Sequence, residues 1–462
     1  MSRMEIPKKR RPSERWTSFD DWDYDGMKER LKRFMASINK PALVEHAEIV
    51  LNSPVSMSEP FSAGQYWCCF ELVAPDGRLI IARVRLPKHP ESKANDSDGA
   101  DEYLIRCEVA TMGFLQANVT TIPIPALFAY EAPGSVKAVK SAPYTCLLKD
   151  STETLSRMLT TAFTTFLYIL VLFLIITALT YNFTRSLLRS ALFTQWTSYQ
   201  AELAAFTFPS IGSISQFSTE KGPIIISKLA TASSDGLPTA GPSQSGWSYF
   251  NALAEARLTQ ARKENASSTE SDRFTILGSL VFRDIVRNTE IFKDPDDQGP
   301  FHFNHMDMGL QNILVDDDFT ILAIIDWELS QSAPWAVNHY PMPIPLIHSD
   351  EEIRELLNDP GHIAHRNVSR QEAARAMYRQ NFKEAEAALK ERGRPLRVSI
   401  SEILEGKASR IYGVSEKIGV FEGMEKDLTY ELVRLGCGLT GPEADQYLEK
   451  LETEMKKKAR DL

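Results

Sequence analysis

Residues 301–312 read FHFNHMDMGLQN, and residues 324–328 read IIDWE. Asp307 precedes Asn312 by five residues, and Asp326 ends an apolar run. Phosphoryl transfer depends on a carboxylate that orients a hydroxyl and on metal ions that neutralise the phosphates. Mg²⁺ prefers oxygen ligands, often one or two side chains together with phosphate oxygens and water. We therefore predict Asp307 as the catalytic base, and Asn312 with Asp326 as ligands of Mg²⁺.

The pattern H-x-D-x-x-x-x-N, from His305 to Asn312, resembles the catalytic loop of kinases. With I-I-D-W-E downstream it resembles the aminoglycoside phosphotransferase and choline kinase-like family, whereas protein kinases have D-F-G there. Residues 201–213 resemble the segment before the catalytic loop in many eukaryotic members, so we expect a eukaryotic branch. The resemblance implies an α+β, two-lobed protein-kinase-like fold, with a small antiparallel-sheet N-lobe and a mainly helical C-lobe.

The resemblance also implies an activity. We expect a phosphotransferase that moves the γ-phosphoryl group of ATP or GTP, with Mg²⁺, to a hydroxyl of a small-molecule substrate. His305 would support the catalytic loop, and Trp327 would pack where protein kinases have Phe. Glu328 is either an exposed or loop-bracing carboxylate or a metal ligand. The alternative function is a catalytically impaired pseudokinase that acts as a binding module, including a single-pass membrane form.

Upstream, residues 66–86 predict two strands joined by a hairpin. The runs YWCCFELV and LIIARVRL are rich in strand-forming residues, and Asp76-Gly77 supplies the turn. A helix with regularly spaced apolar residues and two further strands, 124–130 and 144–148, are predicted next. Strand, strand, helix, strand, strand is the order of a kinase small lobe.

The second of these strands carries Arg83 and Arg85 on one face, because they are two residues apart. In kinases a cation on such a strand meets the nucleotide phosphates and pairs with a Glu on the next helix. We predict Arg83 for this role and Glu108 as its partner, with Arg standing where the family has Lys. Gly64 is the single glycine of a degenerate phosphate loop, FSAGQYW. The alternative is that these arginines and Glu108 are ordinary exposed charges.

An apolar insertion, residues 151–184, separates the two lobes. It has no charged residue between Arg157 and Arg185 and includes FLYILVLFLIITAL. By length and hydropathy, residues 158–184 are a candidate transmembrane segment and membrane contact. A single crossing there would put the predicted nucleotide residues and Asp307 on opposite sides of a bilayer. Three interpretations stay open: a re-entrant or peripheral segment, a real span with loss of phosphotransfer, or a gene-model artefact such as a retained intron.

Composition sets the remaining bounds. The 462 residues carry a net charge of -9, which argues against nucleic acid as a partner. Five cysteines without metal or disulfide spacing suggest free thiols in a reducing compartment, and we expect a cytoplasmic protein, membrane-associated if the insertion is real. The predicted domains are a partly helical extension, the N-lobe, the insertion, the C-lobe with the catalytic loop, and a helical tail. Their bounds are 1–45, 46–150, 151–184, 185–420 and 421–462.

Overall fold

The chain divides into two units, each assembled from segments that are distant in the sequence. Unit 1 contains Met1–Gln195, Ile214–Ile225 and Asp307–Leu329, and unit 2 contains Trp196–Ser213, Ile226–Met306 and Ser330–Leu462. The computed structural model describes residues 27–63, 67–86, 100–131, 145–149, 183–218, 222–232, 235–237, 241–264, 269–293, 299–316, 319–342 and 344–460. Asp307, Asn312 and Asp326 therefore belong to the same unit as the N-terminal sheet.

Among the described residues, strands and helices are interspersed up to residue 333, and only helices follow. The first elements are α1 (Met27–Ser37), α2 (Lys40–Leu51), β1 (Ser56–Met57), β2 (Ser62–Ala63), β3 (Trp67–Val73), β4 (Leu79–Arg85), α3 (Ala100–Asn118), β5 (Leu127–Glu131), β6 (Thr145–Lys149) and α4 (Phe183–Ala204). There follow β7 (Thr207–Phe208), β8 (Ser213–Gln216), β9 (Ile225–Ser227), α5 (Gly246–Glu264), α6 (Glu270–Asn288), β10 (Phe301–Asn304), β11 (Ile313–Val315), β12 (Ile321–Ile324) and β13 (Gln331–Ala333). The last are α7 (Asp350–Asn358), α8 (His365–Glu391), α9 (Ile400–Ile403), α10 (Lys407–Ser415), α11 (Glu425–Cys437) and α12 (Gly441–Arg460).

The main sheet of unit 1 is antiparallel, with the order β1-β3-β4-β6-β5 and β2 paired to β3. One face of β3 and β4 is apolar and packs on α1 and α2. Its side chains are Cys68, Phe70, Leu72, Ile80, Ala82 and Val84. Because successive side chains of a strand point to opposite faces, the other face carries Trp67 and Cys69, which pair in register with Arg85 and Arg83. One face thus builds the core, and the other presents two guanidinium groups.

A second, smaller hairpin of unit 1 is formed by β11 and β12, in which Ile313 pairs with Ile324. It is attached to the segment after α3, because the backbone N–H of Ile324 donates to the carbonyl of Pro123 at 2.9 Å. One short 3₁₀ turn, Leu310–Asn312, precedes β11, and another, Trp327–Leu329, follows β12, so both lie at the open end of the hairpin. Residues of the two sequence motifs lie at this end.

Unit 2 is mainly helical around one apolar core, in which α6 packs against α5 and α11. Thr269 begins α6 with a capping box to Asp272, which satisfies backbone N–H groups of the first turn. Core side chains on these helices include Phe250, Leu280 and Leu432, all at most 2% exposed. A three-stranded sheet, β13-β10-β7, belongs to the same unit.

The predicted α+β class is confirmed, with small antiparallel sheets and many helices. The predicted order of strand, strand, helix, strand, strand is confirmed by β3, β4, α3, β5 and β6. Gly64 lies outside the described residues, and so does the apolar insertion apart from residues 183 and 184, which begin α4. Within the ranges given above, no helix combines the length and the apolar character needed to cross a bilayer.

Candidate functional site

The hairpin of β11 and β12 brings Asn312 and Asp326 close together. Asn312 ends the turn before β11, and Asp326 lies two residues beyond the end of β12. The backbone N–H of Ile325 donates to the carbonyl of Asn312 at 3.0 Å. Local pairing of two short strands is therefore sufficient to place an amide and a carboxylate side by side.

Asp326 has a left-handed backbone, with φ of +59°. Residues other than Gly rarely adopt this backbone conformation, although Asp tolerates it better than most. Residues held in such conformations cost about 1–3 kcal/mol each and cluster at active sites and ligand clamps. The surrounding hairpin thus holds Asp326 in an orientation that the isolated chain would disfavour.

Asp307 is half-buried, and neighbouring amide groups hold both of its carboxylate oxygens. The Nε2 of Gln311 donates to Oδ1 at 2.9 Å, and the Nδ2 of Asn312 donates to Oδ2 at 3.0 Å. The Nδ2 of Asn312 also donates to the backbone carbonyl of Asp307 at 2.8 Å. Because the nitrogen of the Asn312 amide is directed at Asp307, its oxygen is the atom suited to a metal ion.

Arg83 of β4 bridges two carboxylates from different parts of unit 1. Its Nη1 donates to Oε1 of Glu108 on α3 at 3.0 Å, and its Nη2 donates to Oδ1 of Asp326 at 2.6 Å. Arg83 and Glu108 are 7% and 1% exposed, so the alternative that they are ordinary exposed charges is wrong. The structure therefore brings together the predicted phosphate cation, its predicted partner and a predicted metal ligand.

Arg85, two residues along β4, is equally buried and makes a parallel set of contacts. Its Nη1 donates to Oε2 of Glu328 at 3.1 Å, and its Nη2 lies 3.4 Å from Oδ1 of Asp101 on α3. The ring of Trp67 lies 4.4 Å from the guanidinium carbon of Arg83 and 5.1 Å from that of Arg85. We call this group the paired-arginine cluster; it contains Trp67, Arg83, Arg85, Asp101, Glu108, Asp326 and Glu328.

The paired-arginine cluster has more carboxylates than cations, four against two. Burial raises the pKa of Glu328 to about 7, against the attraction of Arg85, and the negative charges of Glu108 and Asp326 raise it further. Burial also raises the pKa of Cys69 to about 11, which keeps this neighbouring thiol protonated and unreactive near neutral pH. Among the described side chains, Oε2 of Glu108 is buried without a hydrogen-bond partner. The excess of negative charge favours binding of a cation here.

The residues present fit Mg²⁺. The amide oxygen of Asn312 and the carboxylate of Asp326 are hard oxygen donors on adjoining segments, and the Asp326 side chain is 36% exposed and therefore accessible. In the described part of the chain, no group of three His, Cys, Asp or Glu side chains could hold a metal ion by itself. Two protein ligands completed by phosphate oxygens and water are a common arrangement for Mg²⁺.

His305, Trp327 and Glu328, the supporting residues named by the sequence motifs, are all buried. His305 and Trp327 are each 1% exposed. The indole N–H of Trp327 donates to the carbonyl of Ile324 at 2.8 Å, which ties the turn after β12 to the hairpin. Glu328 is buried and accepts a hydrogen bond from Nη1 of Arg85, so it is not a simply exposed carboxylate.

Sequence reasoning missed three members of the site: Gln311, Trp67 and Asp101. Gln311 was overlooked because a glutamine in a loop gives no signal of its own, although its position next to Asn312 could have drawn attention to it. Trp67 was overlooked because an aromatic residue at the start of a strand usually belongs to the core. Its register opposite Arg85 is the signal that could have identified it.

No family model matches the chain, and comparison with curated proteins finds no relative. Solved structures do resemble it. They include a protein described as a fructosamine-3-kinase from Thermobifida fusca, with 12% identity, a TM-score of 0.42, and coverage of 86% of this chain and 99% of that one. A macrolide 2'-phosphotransferase from Brachybacterium faecium has 11% identity, a TM-score of 0.35 and coverage of 87% and 99%. An aminoglycoside phosphotransferase from Alicyclobacillus acidocaldarius has 10% identity, a TM-score of 0.31 and coverage of 88% and 95%.

Proposed function

We propose that the chain is a small-molecule kinase, which transfers the γ-phosphoryl group of ATP or GTP to a hydroxyl group of a small molecule in the cytoplasm. The observation that carries the proposal is the position of Arg83, which bridges Glu108 and Asp326 within the unit that also holds Asp307 and Asn312. A strand cation paired with a helix Glu, beside a base and two oxygen ligands, is the set of groups that phosphoryl transfer uses.

Each residue has a distinct task in this proposal. The carboxylate of Asp307 orients the acceptor hydroxyl and takes its proton as the oxygen attacks the γ-phosphorus. The amides of Gln311 and Asn312 hold that carboxylate in place. Arg83 binds phosphate oxygens, and Asn312 with Asp326 holds Mg²⁺. When bound, Mg²⁺ neutralises the negative charge of the phosphates.

An arginine at position 83 suits phosphate binding, although the family to which the chain is compared has lysine there and the two side chains bind phosphate differently. A guanidinium group stays protonated and can bind two phosphate oxygens at once, whereas an ammonium group acts as a point charge. Glu108 keeps Arg83 aligned from one side while the Asp326 side can exchange, because Asp326 is much more exposed than Glu108.

The test has a binding arm and a turnover arm. Purified protein should be stabilised against heat by ATP or GTP, and more strongly with Mg²⁺ than without it. Screening a panel of small alcohols, including aminoglycosides, choline and homoserine, for ADP release should identify the acceptor. Asp307→Asn should lower turnover by at least about 100-fold while nucleotide binding persists. Unchanged turnover in Asp307→Asn would refute the assigned base.

A second candidate function is a nucleotide-responsive binding module without turnover. The ion pair of 2.6 Å between Arg83 and Asp326 favours it, because this pair engages the carboxylate that Mg²⁺ requires. In that case nucleotide would stabilise the protein equally with and without Mg²⁺. In that case no alcohol in the panel would raise ADP release above the background seen with Asp307→Asn.

A further inference from the structure

The contacts of Arg85 repeat those of Arg83 two residues further along β4. Each guanidinium joins a carboxylate of α3 to a carboxylate of the segment after β12. The two bridges are Glu108–Arg83–Asp326 and Asp101–Arg85–Glu328. The repeat follows from geometry, because side chains two apart on a strand share a face and those seven apart on a helix lie two turns apart on one side.

The two bridges differ in how far a ligand can reach them. The side chain of Asp326 is 36% exposed, whereas that of Glu328 is 9% exposed. A phosphate group or a metal ion approaching from solvent can therefore compete for Asp326, whereas Glu328 is shielded. Desolvated charges are costly to separate, because each would be left buried without its partner. The contact between Arg83 and Asp326 is thus exchangeable, whereas the contact between Arg85 and Glu328, which we call the permanent bridge, is shielded.

The permanent bridge has a consequence for ligand binding. When Arg83 turns from Asp326 to a nucleotide phosphate, β4 loses one of its attachments to the segment that carries the metal ligand. The bond between Arg85 and Glu328 keeps that segment against β4 during the exchange. Trp67 lies against both guanidinium groups and limits their movement from the side.

We propose that Arg85 is a positioning residue, which acts through Glu328 to hold Asp326 in place for Mg²⁺ while Arg83 exchanges its partner. This inference rests on the proposed kinase function for the identity of the ligands. It assigns Glu328, the last residue of the IIDWE motif, to bracing the segment rather than to binding metal.

The first experiment measures amide hydrogen exchange in the protein without nucleotide. In Arg85→Met, peptides covering residues 322–329 should exchange about 10-fold faster than in the wild type. Arg78→Met is the matched control, because Arg78 lies on the same hairpin and forms an exposed ion pair with Asp76. Equal exchange of these peptides in wild type and Arg85→Met would overturn the proposal.

The second experiment measures the Mg²⁺ concentration that gives half of the nucleotide-dependent thermal shift. We expect Arg85→Met to raise it about 10-fold, as changes behind a metal ligand commonly do, with Arg85→Lys in between. If Arg85→Met fails to fold, Arg85→Met with Glu328→Met replaces the buried pair by apolar side chains, a change that folds often tolerate. That double variant should fold and still need more Mg²⁺.

A folded double variant with the Mg²⁺ requirement of the wild type would show that Arg85 is only structural. A wild-type protein that gives no Mg²⁺-dependent shift would instead refute the kinase function. In that event the exchange experiment would still decide whether Arg85 holds the segment.

Discussion

Arg83 and Asp326 are joined by an ion pair of 2.6 Å between Nη2 and Oδ1, although 243 positions separate them in the chain. The proposed phosphate cation therefore neutralises the proposed metal ligand when neither has its ligand. Mg²⁺ and the nucleotide should consequently favour each other's binding, because each one removes the side chain that occupies the other's ligand. Mg²⁺ takes Asp326 from Arg83, and the phosphate takes Arg83 from Asp326.

Asp326→Asn tests this exchange directly. The variant should fold, since Arg83 retains Glu108, and it should lose the part of the nucleotide-dependent thermal shift that requires Mg²⁺. An amide is a weaker Mg²⁺ ligand than a carboxylate because it carries no charge. Asp316→Asn, in the turn between β11 and β12, is the matched control and should behave as the wild type. Full Mg²⁺ dependence in Asp326→Asn would remove this residue from the metal site.

Gln311→Ala should lower kcat about 10-fold, because a hydrogen bond to a charged group is worth about 1.5–3 kcal/mol and its loss lets Asp307 rotate. The KM for ATP should stay the same, since Gln311 touches the base and has no role with the phosphates. Steady-state kinetics with the acceptor found in the alcohol screen provide the measurement.

Gly309→Ala offers an independent route to the same effect. A Cβ at position 309 would lie 2.2 Å from Oε1 of Gln311, so the carboxamide would have to move away from Asp307. The kinetic change should match that of Gln311→Ala. A raised KM for ATP with normal kcat in both variants would contradict the assigned role.

The sequence was most informative where a residue's neighbours in the chain determine its structure. The runs of strand-forming residues in β3 and β4 and the turn at Asp76-Gly77 predicted the central hairpin, because both signals are local to the chain. The start of α2 is also determined locally. It begins at Lys40, because Asn39 caps it and a proline fits its first turn.

Side-chain partners across long separations could not be predicted in the same way. The pairing of Arg83 with Glu108 followed from resemblance to kinases, but nothing local indicated that Arg85 would be buried with Glu328. Charged side chains are usually exposed. Arg85 and Glu328 are buried only because β4, α3 and the segment after β12 come together around them. The amide contacts around Asp307 likewise depend on the shape of the loop.

His302 of unit 2 predicts a pH dependence of stability. Burial lowers its pKa to about 4 from 6.5, although hydrogen bonds with the backbone of Ala333 and with the side chain of Asn338 work in the opposite direction. As the pH falls from 6.5 towards 4, the unfolded chain gains a proton that the folded chain does not. The contribution of His302 to the free energy of unfolding is therefore complete above pH 6.5 and is lost on acidification. Between pH 6.5 and 4 the loss is about 1.4 kcal/mol per pH unit.

Urea unfolding of the wild type and His302→Gln at about pH 7 and about pH 5 measures this contribution. All other titrating groups are common to both proteins, so the difference between their pH dependences isolates His302. The variant should lose less stability on acidification than the wild type. Identical losses would mean that His302 has the same pKa in the folded and the unfolded chain.

Gly278 of α6 lies where unit 2 has no room for a side chain. A Cβ there would lie 2.5 Å from Cδ1 of Ile418 and 2.8 Å from Oγ1 of Thr429. Thr429 cannot easily move, because it is fully buried and its hydroxyl lies within hydrogen-bonding distance of the carbonyls of Phe274 and Glu425. Gly278→Ala should therefore lower the free energy of unfolding by about 1–3 kcal/mol.

Gly113 of α3 is the matched control, since a Cβ there would come no closer than 3.3 Å to the side chain of Phe217. Gly113→Ala should change the free energy of unfolding less than Gly278→Ala does, because a shift of a few tenths of an ångström by the Phe217 ring relieves the contact and alanine favours helix by up to about 1 kcal/mol. Thermal melts of both variants provide the comparison. Equal stability of Gly278→Ala and the wild type would show that α6 and α11 can separate to admit a methyl group.

The arginine at position 83 also determines how this protein responds to chemical labelling. Nucleotide analogues that carry an acylating group mark kinases by transferring it to the amine of the phosphate-binding lysine. A guanidinium group stays protonated at any pH that a protein tolerates and is a poor nucleophile, so β4 offers such reagents nothing to acylate. Labelling by lysine acylation would therefore leave Arg83 unmarked even with the nucleotide fully bound. Dicarbonyl reagents modify arginine selectively, and bound nucleotide would protect Arg83 from them.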